Sequence, residues 1–281
     1  MSSSSSGPEP PSSAQEADEV AGGGTVLLDE PAPGVARLTI ASPRKRNALD
    51  HAILDGIARM LPELDHACVI LTGSDGMFSA GYDIGDIPDD VFAVEAEKLV
   101  AHPFTAALEA LEAYPYPLLA ALPGHAIGGG LELALACDLR IAAGSIKLGM
   151  PPAKLGLVYS HTGIQKFISA IGAPRTRELF LLGRNVDAHT ALAWGLVNWV
   201  VDADALAEEA LAIARELAGN APLSLSGNKE VIRTVLLAAD RLDPAEEEEL
   251  VELRRSCFAS EDFREGVRAF GEKRAPVWQG R

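Results

Sequence analysis

Two short runs of small residues constrain this chain more than any other feature. One is Phe78-Ser79-Ala80-Gly81-Tyr82-Asp83-Ile84, the other Gly124-His125-Ala126-Ile127-Gly128-Gly129-Gly130-Leu131-Glu132. Each follows an apolar run of strand character, 68–72 and 118–122. Small residues leave their backbone N–H groups open to close approach. The second run opens a helix expected over 131–137. The first N–H groups of a helix have no internal partner, and its dipole favours negative charge there. Two such sites aimed at one carbonyl oxygen make an oxyanion hole. That chemistry suits a thioester whose oxygen becomes negative as an enolate forms. Taken alone, the Gly triplet reads equally as a tight turn that lets a helix pack on a strand.

The rest of the chain alternates strand-like and helix-like runs. The runs 26–28 and 35–40 flank Pro31-Ala32-Pro33-Gly34 and read as a hairpin. A helix is expected over 49–64, with Asp50 near its start, and another over most of 91–113, broken or kinked at Pro103. Strands are expected at 69–72, 118–122, 139–143 and 146–148. Beyond Gly163 the pattern is mainly helical, ending in 244–270. Strands alternating with helices, then helices alone, indicate an α/β body with a helical C-terminal part. Residues 1–24 are a different material, rich in Ser, Pro, Gly and acidic residues, and read as a disordered tail.

Composition excludes several functions. With 281 residues and 48% hydrophobic content, the chain can bury a large core. A net charge of −16 opposes contact with a nucleic-acid backbone or an anionic membrane surface. No apolar stretch reaches the length of a membrane span. The acidic run 246–249 reads as a solvated helix face. Cys68, Cys137 and Cys257 have no metal-ligand spacing, and the first two sit in apolar runs that suggest buried thiols. Their odd number and the lack of a secretory signal point to a reducing, cytoplasmic setting.

With Asn47-Ala48-Leu49-Asp50 ahead of them, the two small-residue runs resemble the crotonase family, also called the enoyl-CoA hydratase/isomerase family. The resemblance extends from about Thr25 to the C-terminus. It implies an α/β fold, a spiral of ββα units over 25–200, followed by a helical region over 201–281 that packs subunits into a trimer or hexamer. It implies an acyl-CoA thioester as substrate, CoA being part of the substrate and no separate cofactor being needed. Ala80 and Gly129 match the positions whose N–H groups bind the thioester oxygen. Glu132 matches the first of two catalytic glutamates in the family's hydratases; read alone, it is a helix-start carboxylate placed for the dipole. On the CoA side the candidates are Lys45, Arg46, Phe78 and Lys273, with Arg44 beside them; read alone, the basic residues are ordinary surface charge. Asp83 is expected to cap or orient its loop, and His125 to be a packed or surface residue.

The sequence departs from the hydratases at the second glutamate. Where the family carries it, this chain reads Leu148-Gly149-Met150-Pro151-Pro152. Hydration needs a carboxylate pair to hold the water and deliver its proton, and Pro152 has no proton to move. The following Leu155-Gly156-Leu157-Val158-Tyr159-Ser160-His161-Thr162-Gly163-Ile164 is similar to the methylmalonyl-CoA decarboxylase branch, as is 260–276. That likeness implies that Tyr159 hydrogen-bonds a substrate carboxylate. A second carboxylate-holding position, a histidine in that branch, is Tyr82 here. A peptidase reading of Ser160-His161 fails for want of a Gly-x-Ser-x-Gly elbow. Three readings follow: decarboxylation of a 2-carboxyacyl-CoA, isomerisation or hydration by Glu132 alone, and acyl-CoA binding without turnover.

Overall fold

A computed structural model describes residues 23–83, 98, 100–239 and 242–281. Most of the expected tail, Ile84 and the first part of the helix expected over 91–113 lie outside them.

The four central strands of an outer sheet are each followed by a short inner strand or bridge, and this repeat builds the molecule. β1 (Thr25–Ala32) and β2 (Val35–Ala41) form the antiparallel hairpin, longer than the sequence indicates and turning at Pro33-Gly34. After β2 the chain makes a bridge at Leu49 and enters α1 (His51–Met60), which Asp50 caps by accepting from Ile53 N at 2.9 Å. β3 (Cys68–Gly73) leads to bridges at Ser79 and Tyr82. A π-helical turn, Val100–Phe104, carries Pro103 into α2 (Thr105–Ala113), so the proline marks a local change of winding.

β4 (Leu118–Leu122) is followed by β5 (Ala126–Ile127) and α3 (Gly129–Leu135). The helix begins two residues before the sequence expectation because glycines carry its first turn. β6 (Leu139–Ala143) is followed by β7 (Lys147–Gly149) and α4 (Pro152–Leu155). Next come α5 (His161–Leu182), bent at Gly172, then β8 (Val186–Asp187), α6 (Ala188–Trp194) and β9 (Trp199–Val201). Helices α7 (Leu206–Ala218), α8 (Pro222–Ala239), α9 (Pro244–Phe258) and α10 (Glu261–Gly271) complete the described chain.

The outer sheet runs β1-β2-β3-β4-β6-β9, parallel except for the hairpin, and the inner one runs β5-β7-β8. Buried on both faces, the parallel strands read as nearly unbroken apolar runs, and all five residues of β4 are buried. α7 covers β3 and β4, so the first C-terminal helix belongs to the sheet's own packing. Cys68 and Cys137 lie in the core, where burial pushes both thiols up to about 12. No helix among the described residues is long and apolar enough to cross a membrane.

Candidate active site

The inner layer brings the two small-residue runs together. Ser79 N donates to His125 O at 3.1 Å and Ile127 N donates to Ser79 O at 3.0 Å, so the loops pair as adjacent strands. Asn47 locks a third loop beneath them. Its buried Oδ1 accepts from Ser42 N at 2.8 Å, while its Nδ2 donates to Ser74 O and Met77 O at 2.9 and 2.8 Å. The motif that announces α1 is therefore also the clamp that fixes the first small-residue loop.

The backbone donors differ from the sequence expectation. Ala80 N–H donates to Arg46 O at 3.1 Å and is committed to holding the loop. Two residues on, Tyr82 N–H has no acceptor among the described residues, since the bridge to Leu49 uses Gly81 O and Asp83 N. Gly129 N–H, the first of α3, likewise has none. The two regions nearly touch: a Cβ on Gly81 would lie 3.6 Å from Gly129 N, and one on Gly129 would lie 2.8 Å from the Tyr82 ring. Only glycine at 129 lets the Tyr82 ring lie over the helix start.

Glu132 is a buried carboxylate, only 1% exposed on the first turns of α3. Tyr159 Oη donates a hydrogen bond to its Oε2. Burial pushes the carboxyl up to about 7, against the opposing effects of the Tyr159 hydrogen bond and the charge of Lys166. Lys166 is paired with Glu112, and the charge of Arg254 also reaches Glu132. The Tyr82 and Tyr159 hydroxyls interact with one another, giving a line Tyr82–Tyr159–Glu132. Desolvation, and then Glu132, hold both phenols well above their ordinary value, so both stay neutral donors. Gly163 makes this line fit, since a Cβ there would lie 2.7 Å from both Glu132 Oε1 and the Tyr159 ring. The Tyr159 ring packs edge-on against Phe180, and that of Tyr82 against Phe104.

The remaining expected site residues divide. Phe78 is fully buried in the core, so its side chain supports the loop and presents nothing to CoA. Lys45 Nζ pairs with Asp83 Oδ2 at 2.7 Å beside the first loop, which gives Asp83 its orienting partner. Arg46 is exposed and lies in the left-handed region at φ 53°, as does exposed Lys273 at φ 55°. His125 is a surface residue whose Nδ1 accepts from Lys147 N at 3.1 Å. Pro152 is buried at the first position of α4. Sequence reasoning missed Lys166 and Arg254, which come from helices far along the chain with no motif to flag them, and gave Gly163 no role although it lies in the quoted motif. Two depressions near the C-terminus, one around Arg264 and Arg268 and the other around Cys257 and Trp278, do not reach Glu132.

The sequence pattern of the family described as enoyl-CoA hydratase/isomerase matches residues 30–281. The chain belongs to that family. A probable enoyl-CoA hydratase of Mycobacterium tuberculosis (strain CDC 1551) is 36% identical over 262 residues, covering 91% of this chain and 98% of its own. The 2,3-dehydroadipyl-CoA hydratase of Escherichia coli (strain K12) is 32% identical, covering 88% and 96%. Among solved structures, a methylmalonyl-CoA decarboxylase in complex with 2-nitronate-propionyl-CoA superposes with a TM-score of 0.82 at 29% identity, covering 92% and 99%. An enoyl-CoA hydratase from Bacillus anthracis gives 0.71 at 31% identity, covering 92% and 100%. The fold is the crotonase fold, and the protein is an acyl-CoA enzyme of the enoyl-CoA hydratase/isomerase family.

Proposed function

We propose that the enzyme decarboxylates a 2-carboxyacyl-CoA such as methylmalonyl-CoA through a thioester enolate. The observation that carries this is that, among the described residues, Glu132 is the one buried carboxylate, beside two N–H groups with no acceptor, with Pro152 where a hydratase needs its second glutamate. The thioester oxygen lies between Tyr82 N–H and Gly129 N–H. The bond between C2 and the carboxylate carbon breaks, and its electron pair moves through C2 to that oxygen. Carbon dioxide departs, and the two donors take up the charge where it develops.

Glu132 and Tyr159 then have linked roles. A protonated Glu132 donates to Tyr159 Oη, freeing the phenol proton for the substrate carboxylate. Its pKa near neutrality keeps much of it uncharged at pH 7, which limits repulsion of that carboxylate. After cleavage the acid form returns a proton to C2. Lys45, Arg46 and Lys273 are proposed to meet the CoA phosphates. The likeness in fold to methylmalonyl-CoA decarboxylase supports this reading.

One observation favours a second reading. A lone carboxyl poised near neutrality is also suited to acid/base work on an enoyl-CoA, either moving a proton between C2 and C4 or adding water, and the relatives carrying hydratase names favour the latter. Incubation with methylmalonyl-CoA and, separately, with a 3-enoyl-CoA separates them: propionyl-CoA and carbon dioxide support the first, a shifted double bond the second. We further propose a trimeric or hexameric assembly, because α8 leaves Leu223 at 88% exposure with Val231, Ile232 and Val235 also exposed.

A further inference from the structure

We infer that Arg254, on the C-terminal helix α9, is a specificity-determining residue that receives a carboxylate borne by the acyl group of the substrate. The inference rests on the reading of this site as an acyl-CoA site. It extends that reading by naming the cation that selects the substrate class.

Helix geometry sets the direction of Arg254. On α9, residues 247, 254, 257 and 258 share one face. At one end of that face Glu247 Oε1 lies 3.5 Å from His161 Nε2. At the other, Cys257 Sγ accepts from Val158 N at 3.2 Å and donates to Gly156 O at 2.8 Å. Arg254 lies between these contacts, so it faces the segment that carries Tyr159. Its charge is felt at both Glu132 and Tyr82.

Arg254 has no partner there. Its Nε is buried with no hydrogen-bond acceptor, and it has no ion pair among the described residues. Its neighbour Arg255 faces outward and pairs with Glu248 and Glu252. The residue is only partly buried, but its buried N–H is costly unless an acceptor completes it. In a chain of net charge −16, with five acidic residues on α9 alone, the lack of an acidic partner among the described residues leaves this cation open to an outside anion.

The charges around Glu132 narrow the choice of anion. Lys166 is neutralised by Glu112, which leaves Arg254 as the unpaired cation among those that reach Glu132. The ligand part beside Glu132 is the acyl end. An uncharged acyl group would leave Arg254 unsatisfied, whereas a second carboxylate would satisfy it with charge-assisted hydrogen bonds. A cation holding the departing carboxylate stabilises the ground state, so Arg254 favours binding over cleavage.

The test is calorimetric binding of two inert thioether analogues, 2-carboxypropyl-CoA and propyl-CoA, which differ by one carboxylate. Wild type should bind the carboxylate-bearing analogue at least about tenfold more tightly. Arg254→Gln should lower that preference at least about fivefold, the remainder being due to Tyr159, while changing propyl-CoA affinity less than about twofold; Arg254→Lys should restore part of it, and Arg255→Gln should leave it intact. Equal binding of both analogues by wild type overturns the inference without any variant. So does a preference undiminished in Arg254→Gln. A preference that depends on Arg254, in an enzyme that does not decarboxylate methylmalonyl-CoA, keeps the inference and removes the proposed reaction.

Discussion

Glu132 concentrates the physics of this site in one side chain. Burial raises its pKa to about 7 from an ordinary 4.5, so the folded protein keeps a proton that the unfolded chain loses. The stability it contributes is full below the unfolded value and is lost as pH rises through the folded one. Relative to Glu132→Gln, whose amide does not titrate, wild type should lose on the order of 3 kcal/mol between about pH 4.5 and pH 7. Urea unfolding of both proteins at pH 5 and pH 8 checks the sign: the balance must move toward the variant at the higher pH. For activity, kcat/KM should fall above about pH 7, as ionised Glu132 reclaims the Tyr159 proton and repels an anionic substrate. Tyr159→Phe should lower decarboxylation about tenfold to a hundredfold by removing one charge-assisted donor while keeping the ring against Phe180. Glu132→Gln should cost less, because cleavage precedes proton return. The two changes should be non-additive, since both act on the same hydrogen-bonded pair.

At the scale of elements, the site is a meeting of loops, each held by an inner bridge after an outer strand. Asn47 ties two of those loops together through a buried side chain. Asn47→Ala should therefore cost on the order of 3 kcal/mol and also lower kcat/KM, read by denaturant titration and steady-state assay. Gly163→Ala should leave the core intact yet impair turnover, because its new methyl meets Glu132 and Tyr159. Much of this was legible in the chain. Strands β4 and β6 follow the apolar runs residue for residue, and the small-residue loops announce themselves by composition. What escaped has physical reasons. Strands β8 and β9, of two and three residues, are too short for any periodicity to register. The break between α9 and α10 rests on Ser260 capping Phe263 N, a signal lost within one long amphipathic run. Only the folded loop shows that the Arg46 carbonyl has taken the Ala80 N–H and left that of Tyr82 without an acceptor among the described residues. Phe78 reads as a ligand contact in a motif, yet the loop after β3 turns its side chain into the core. Arg254 could not be placed without the packing of α9 over the loop before α5.

For the whole molecule, one face remains apolar. Leu223, Val231, Ile232 and Val235 on α8 are exposed, with Leu181 on α5 and Phe270 on α10 also bare. Water is a poor neighbour for so much apolar surface, and association of copies would cover it. Sedimentation at micromolar concentration should show a trimer or hexamer, and Val235→Asp should shift it toward monomer; a wild-type monomer would refute the assembly. The central claim is chemical, and one experiment reaches it most directly. The purified enzyme is given methylmalonyl-CoA and crotonyl-CoA in parallel, and products are identified by chromatography and mass. The account predicts propionyl-CoA and carbon dioxide from the first and slow or no hydration of the second, because Pro152 leaves no carboxylate to deliver the water's proton. Rapid formation of 3-hydroxybutyryl-CoA, abolished by Glu132→Gln, with methylmalonyl-CoA untouched, would contradict it.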